Sequence, residues 1–434
     1  MEDLDYVILR LELDKGQQIP TAGGDITPED MLGNVLSGGA KGIEKLVAKV
    51  SKKPLDEILS LEKASLSARQ AADAKRDPNN LLALDMPLCL IEPASTCQYK
   101  NARSGKASAS ATKDAWGIRE VLGSHAADLS GAGVKVAVLD TGIQREHSAF
   151  AGINFLPRNF TSEDRENVED KLGHGTHCAG TIFGRDVSGK RIGVARGVTD
   201  VLVGKVLDDG GRGNVSAVLE ALKWAQSEGA NVISMSLGFD FPALQQRLVD
   251  RGNPPMLATS KALKAYRENI ALFRTLVDFL MVETADRRGM VIAAASGNES
   301  RRDENPDFEI DVSVPAAASP SIVSVGAAAL SPAGLRIAPF SNINPRLCAP
   351  GVDILSAALD GSLRLDSGTS TACPHVAGIA ALWWEWAEIE IGRATGETVR
   401  AKLLAECNRD RFVPALTIVD RGAGMVRAPQ KNVR

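Results

Sequence analysis

Three segments of the sequence set reactive side chains beside glycines, at points where the chain must turn. Asp140 closes the apolar run 134–140 (VKVAVLD) and is followed by Thr141 and Gly142. His174 lies between glycines in 172–180 (LGHGTHCAG), and Ser370 lies in 367–378 (SGTSTACPHVAG), just ahead of an apolar helical stretch. A serine hydroxyl is a weak nucleophile until a base takes its proton. An imidazole base in turn needs a carboxylate to fix its tautomer and stabilise its cation. One Asp, one His and one Ser, each at the end of an element, meet that requirement. A fourth segment, 291–300 (VIAAASGNES), sets Asn298 directly after another apolar run. Its amide can donate to a developing oxyanion, together with the backbone N–H of Ser370 at a helix start.

Such groups need a rigid frame. Near-continuous apolar runs at 134–140, 201–207, 232–237, 290–295 and 322–325 have the texture of parallel strands buried on both faces. Helical stretches lie between them, notably 215–227 (VSAVLEALKWAQS). This pattern predicts an α/β fold: an open, mostly parallel sheet with helices on both faces and reactive groups at the carboxyl ends of its strands. Residues 1–95 differ. The alternation in 6–13 (YVILRLEL) predicts a half-buried strand, and Ile43, Leu46, Val47 and Val50 recur at helical spacing. Leu55, Ile58, Leu59 and Leu66 predict a second helix with Pro54 in its first turn, and 81–91 (LLALDMPLCLI) closes a small sheet. These features predict a small α+β domain. Periodicity is lost from residue 92, so 96–113 is expected to be a linker and a natural site of nicking, and 114–434 the main domain.

Composition narrows the function classes. The chain has 434 residues, 44% hydrophobic and 24% charged, as expected of a globular protein with a sizeable core. Lys plus Arg number 50 against 54 for Asp plus Glu, so there is no basic field for nucleic acid or an anionic membrane. The six cysteines are too few and scattered for a disulfide framework. The apolar stretch 376–384 is about half of what a bilayer requires. The start, MEDLDYVILR, has no positive n-region or apolar h-region, and the expected location is cytoplasmic.

Together the motifs resemble those of the subtilases, the subtilisin-like serine proteases. The aspartate motif is matched by Val138-Leu139-Asp140-Thr141-Gly142-Ile143 and the histidine motif by His174-Gly175-Thr176-His177. The serine motif is matched by Gly368-Thr369-Ser370-Thr371-Ala372-Cys373-Pro374-His375, and 422–426 (GAGMV) resembles the family's closing strand. The resemblance implies a serine endopeptidase with a catalytic triad of Asp140, His174 and Ser370, an acyl-enzyme intermediate and Asn298 in the oxyanion hole. It implies a peptide or protein substrate and no cofactor for catalysis. Residues 205–216 resemble the strand that pairs with substrate backbone, which implies Gly211, Arg212 and Gly213. Residues 234–238 resemble the opposite wall, which implies Ser236, Leu237 and Gly238. Ala295 and Gly297 are expected along one side of the primary specificity pocket, with 313–316 along the other. A further implication is a zymogen whose first 95 residues act as inhibitor, with 88–93 (LCLIEP) as the tail entering the active site. Three other readings stay open: a permanent regulatory domain, a maturation protease dedicated to one partner, and an inactive peptide-binding pseudoprotease.

The sequence also departs from the family pattern. Many members carry a calcium-ligating Asp nine residues after the catalytic one; here Ala149 stands there, and the adjoining loop 184–191 (GRDVSGKR) is basic. Both features argue against a strong calcium site at that place. Residues 239–288 exceed the corresponding stretch of a minimal member, predict a long helix over 261–287, and suit a lid or partner surface. The glycines around His174 and His177 suit a tight turn better than a zinc set, so no metal ligand is assigned. His177 and His375 read as packing residues, His125 and His147 as surface or loop histidines. Cys178 and Cys373 read as small buried fillers, with a gating thiol or disulfide as the sharper reading. The acidic run 303–311 (DENPDFEID) reads as a solvated loop, with selection of basic substrates as the other reading.

Overall fold

The computed structural model describes residues 3–12, 19–21, 24–26, 59–77, 79–92, 114–124, 126–282 and 287–431. The alternation near the N-terminus is a strand, β1 (Leu4–Leu11), followed by the paired short strands β2 (Ile19–Thr21) and β3 (Gly24–Ile26). The expected helix through Leu59 and Leu66 is corrected to a strand, β4 (Leu59–Leu66), antiparallel to β1 along its whole length. Leu59 and Leu61 pack on one side of it, while Ala64 and Leu66 pack on the other with Ile8 and Ala71. Apolar residues that switch faces part-way along hide the period of two that marks a strand. Helix α1 (Ala68–Ala74) starts at a Ser67–Gln70 capping box, and β5 (Asn80–Leu84) pairs with the other edge of β1. The run 81–91 therefore closes the small sheet only as far as Leu84. The next strand, β6 (Pro87–Leu90), leaves that sheet altogether. The expected helix at 43–50, the start of the second helix, the linker 96–113, Cys97 and His125 lie outside the described residues.

After α2 (Trp116–Leu122) come β7 (Lys135–Asp140), β8 (Asn154–Asn159), α3 (His174–Phe183), β9 (Asp200–Lys205), β10 (Arg212–Asn214) and α4 (Val215–Ser227). Then follow β11 (Val232–Met235), β12 (Leu237–Phe239), α5 (Phe241–Asp250), α6 (Pro255–Leu280) and β13 (Val291–Ala295). β14 (Ile322–Ser331), β15 (Gly334–Ile337), β16 (Leu347–Pro350) and α7 (Thr369–Glu390) complete the frame. The central sheet runs β15-β14-β13-β11-β7-β9-β8 with β16 also on β14, and only the β14–β15 pair is antiparallel. This is the expected open, mostly parallel α/β sheet. Each strand feeds two cores by simple alternation. Val136 and Val138, Val201 and Val203, and Val291 and Ala293 point to the α3 and α7 side. Ala137 and Leu139, Leu202, Ile233, and Ile292 and Ala294 point to the α4 and α6 side.

That second core does not stop at the catalytic sheet. Val7, Leu9, Leu11, Leu59 and Ala83 of the N-terminal sheet belong to it, as do Met86 and Leu88 that follow, so the two units share one continuous apolar interior. Asp85 reinforces the contact by accepting from Ser216 N and Oγ at 3.0 and 2.7 Å, in the first turn of α4. The long helix expected over 261–287 is corrected to α6, which starts at Pro255 and ends at Leu280, with the separate α5 before it. The Pro254-Pro255 pair sets the start, since proline fits the first turn but not the interior. Residues 422–426 form no strand; Met425 makes single bridges to Cys348 and Asn408.

Candidate active site

Asp140 is the last residue of β7 and His174 the first of α3. Their side chains meet at 2.8 Å, His174 Nδ1 to Asp140 Oδ1, and both are buried. The same oxygen accepts from Thr141 N at 2.7 Å. Glycine permits the approach: a Cβ on Gly175 would stand 2.2 Å from Gly142 O, and Gly142 itself has φ +115° with Val168 O against it. Burial works against charge on His174, but the Asp140 carboxylate outweighs it and holds the imidazole well above its ordinary pKa.

Ser370 lies in the first turn of α7, which packs on the same side of the sheet as α3. Its Oγ is buried and makes no hydrogen bond among the described residues. Asn298 follows β13, and its Oδ1 accepts from Thr369 N and Thr369 Oγ1, both at 2.8 Å. Both acceptances orient the amide so that its Nδ2 donors face the cleft. Nδ2 donates at 2.7 Å to the carbonyl of Glu92.

Glu92 arrives there because β6 lies between β10 and β12, antiparallel to both. Leu90 N donates to Gly211 O at 2.8 Å, and Ile91 N donates to Ser236 O at 3.2 Å. Gly213 pairs with Leu88 and Arg212 with Cys89 on one side; Leu237 pairs with Leu90 and Gly238 with Cys89 on the other. Ile91 is buried, and a methyl on Gly238 would sit 3.7 Å from its Cγ1 and 3.9 Å from Ser313 Oγ and Val314 O. Ile91 thus packs beside Gly238, close to the point where the 313–314 wall meets it. Ala295 is packed into the α3 and α7 core, and Gly297 N donates to Thr369 Oγ1 at 3.1 Å. Asp, His, Ser, an amide donor and a groove that binds extended backbone are the parts of an acyl-transfer site.

A profile described as "Subtilase family" matches residues 131–425. The chain belongs to the subtilase family. It is 34% identical over 284 residues to a cuticle-degrading serine protease of Arthrobotrys oligospora, covering 63% of this chain and 56% of that protein. It is 35% identical over 263 residues to subtilisin NAT of Bacillus subtilis subsp. natto, covering 59% and 57%. The major intracellular serine protease of Bacillus subtilis is 29% identical over 277 residues, covering 62% and 74%. The chain thus spans a little over half the length of the first two relatives. Among solved structures, a cold-adapted subtilisin-like serine proteinase superposes with a TM-score of 0.52 and 25% identity, covering 74% of this chain and all of that one.

The calcium site that the subtilase family implies does not fit the residues present. Ala149 is fully buried and has no side-chain oxygen, and its carbonyl accepts from Arg185 N at 2.7 Å. Guanidinium groups hold the loop: Arg185 donates to Phe183 O and Val198 O, and Arg191 to Gly193 O and Val194 O, at 2.9–3.1 Å. His147 lies in a loop, as one of the two readings had it, but is buried, not at the surface; its Nδ1 accepts from Ala149 N at 3.0 Å. His177 and His375 are buried, bonded to Ile354 O and Thr371 O, and burial pulls both to a pKa of about 4. Cys178 and Cys373 are buried free thiols. Cys178 Sγ lies 3.8 Å from His174 Nδ1, and the Asp140, His174 and Cys178 ligand atoms fall within 4.8 Å of one another. The Asp140–His174 hydrogen bond already occupies that cluster. Residues 303–311 are exposed.

Two residues of this site went unread in the sequence. Thr369 orients Asn298, but it drew notice only as part of the serine motif. Asp170, four residues before His174, accepts hydrogen bonds from both sides of the Asp140–His174 pair. An Asp that leads into Gly-His-Gly at a helix start was the available signal.

Proposed function

We propose that this subtilase is a serine endopeptidase that is held inactive by its own N-terminal unit until that unit is cut away. His174 Nε2 takes the Ser370 Oγ proton as the oxygen attacks the substrate carbonyl, and Asp140 stabilises the resulting imidazolium. Asn298 Nδ2 and a backbone N–H at the start of α7 stabilise the oxyanion. His174 then returns the proton to the leaving amine, and water repeats the sequence on the acyl-enzyme. Substrate backbone lies between Gly211–Gly213 and Ser236–Gly238, which selects extended peptides largely without regard to sequence. Ala295 and Gly297 flank the pocket for the residue before the cut.

One observation carries this reading. An extended segment of the same chain occupies the groove as a substrate would, and its Glu92 carbonyl meets the Asn298 amide at 2.7 Å. The shared core of the two units supports residues 1–95 as an inhibitor rather than a loose appendage. A cytoplasmic place of action is supported by the five free thiols among the described residues and by the intracellular relative.

Ser370→Ala tests the assignment. It is expected to abolish peptide hydrolysis and covalent labelling by a fluorophosphonate probe, and to stay full length while the wild type cuts itself within 92–113. Labelling of the Ala variant at the same helix would overturn it.

A further inference from the structure

Asp170 has no part in the proton transfers above, yet it is buried beside them and accepts five hydrogen bonds. Its Oδ1 takes Thr141 Oγ1 at 2.9 Å, Leu172 N at 3.1 Å and Gly173 N at 2.8 Å. Its Oδ2 takes Thr176 N at 2.9 Å and Thr176 Oγ1 at 2.7 Å. We propose that Asp170 is a positioning residue for the Asp140–His174 pair, tying the turn that carries the acid to the helix start that carries the base. The proposal rests on the triad reading.

The connections run through both partners. Thr141 follows Asp140, and its N–H shares the oxygen that holds His174 Nδ1. Thr141 Oγ1 also accepts from Gly175 N at 3.0 Å, next to His174, and Thr176 Oγ1 accepts from Gln144 N at 3.0 Å. One carboxylate thus fixes residues on each side of the 2.8 Å bond. Burial raises the pKa of Asp170, but donors on Thr176, Gly173 and Thr141 together hold it below the ordinary carboxylate range. It stays an acceptor at every position the bridge requires. A plain cap of α3 would need only the bonds from Gly173 and Thr176. The bond from Thr141 is what a cap does not explain.

Two substitutions separate the roles. Asp170→Asn keeps the shape but turns one acceptor into an NH2 group facing N–H and O–H donors. Thr141→Val removes the link to Asp140 and the acceptor of Gly175 N but keeps the bonds that Asp170 itself takes from Gly173 and Thr176, while Thr141→Ser keeps the hydroxyl. The full-length chain is incubated until hydrolysis of a peptide reaches its plateau rate, and active sites are counted with a fluorophosphonate. Per site, both Asp170→Asn and Thr141→Val are expected to lower kcat by up to about 10²-fold, with KM unchanged and the acid limb of the pH profile moved to lower pH. Thr141→Ser should restore both readouts, and the double variant should be no worse than the poorer single, because the two act through one bridge. Variants that lose melting temperature but keep kcat and the pH profile would reduce Asp170 to a cap and overturn the proposal, as would multiplicative losses in the double variant. An inert Ser370→Ala measured alongside confines such a failure to Asp170; an active one overturns the triad reading and the proposal together.

Discussion

At the residue scale, the pair Asp140–His174 sets the working pH. His174 must be neutral to accept a proton, and its pKa is held above the usual imidazole value of about 6.5 by the adjacent carboxylate. The expected kcat/KM therefore rises with pH through that raised value, and its half-maximal point lies on the alkaline side of 6.5, as a pH–rate profile will show. Asp140→Asn leaves only Cys178 to set against burial, so the midpoint should fall, and the rate should drop by about 10⁴ through the wrong tautomer. A midpoint unmoved by that change would remove Asp140 as the cause. Asn298 acts at the other end of the reaction. Asn298→Ala should lower kcat by about 10²–10³ and leave KM nearly unchanged, since the donor matters most once the carbonyl has become an oxyanion. An unaltered kcat would assign the oxyanion to other donors.

At the scale of elements, β6 decides whether the cleft is open. Leu88 is about 1% exposed and lies in the core common to the N-terminal sheet and α4. Leu88→Asp would bury an unpaired carboxylate at a cost of several kcal/mol, enough to undock the strand. The expected outcome is hydrolysis by uncut full-length protein from the first minute, without the lag of the wild type; a lag that persists would mean that β6 does not restrain activity. The bond after the bound Glu92 carbonyl joins it to Pro93, a leaving group with no N–H. Pro93→Ala should therefore bring self-cleavage to the 92–93 bond by mass spectrometry, where wild-type protein is cut further along.

The same elements show what the sequence could and could not say. The buried strands and α4 were legible because parallel strands are apolar throughout and α4 keeps one period from end to end. Asp140, His174 and Ser370 were legible because their glycine neighbours mark sharp turns. β4 was not, because its apolar residues change faces between Leu61 and Ala64. The seat of β6 came only from the family resemblance, which implied 88–93 as the tail entering the site, since pairing between strands more than a hundred residues apart leaves no local pattern: Cys89 meets Arg212 and Gly238 only once the sheet has folded. The burial of His147, read as a surface or loop residue, was hidden for a similar reason, because the Ser362 carbonyl that meets its Nε2 at 2.9 Å comes from a distant loop.

At the scale of the whole molecule, the loop between α3 and β9 bears on what holds this subtilase together at the place where the family's calcium site does not fit. Loop carbonyls concentrate partial negative charge, and a cation has to meet it. Here the cation is covalent: Arg185 and Arg191 together reach four carbonyls within 183–198, and Arg196 pairs with Asp186 at 2.7 Å. The same loop is fastened to the start of the domain, where Ala115 N donates to Arg191 O at 3.0 Å. A bound metal stabilises in proportion to its free concentration, whereas a tethered guanidinium does not. Melting temperature should therefore be the same in EGTA and in millimolar calcium. Arg191→Met keeps the aliphatic stem and removes two charge-assisted hydrogen bonds, each worth about 1.5–3 kcal/mol. It should lower the melting temperature by several degrees in either buffer, with no recovery on adding calcium. A large fall in EGTA reversed by calcium in the wild type would show that an ion, and not these arginines, secures the fold.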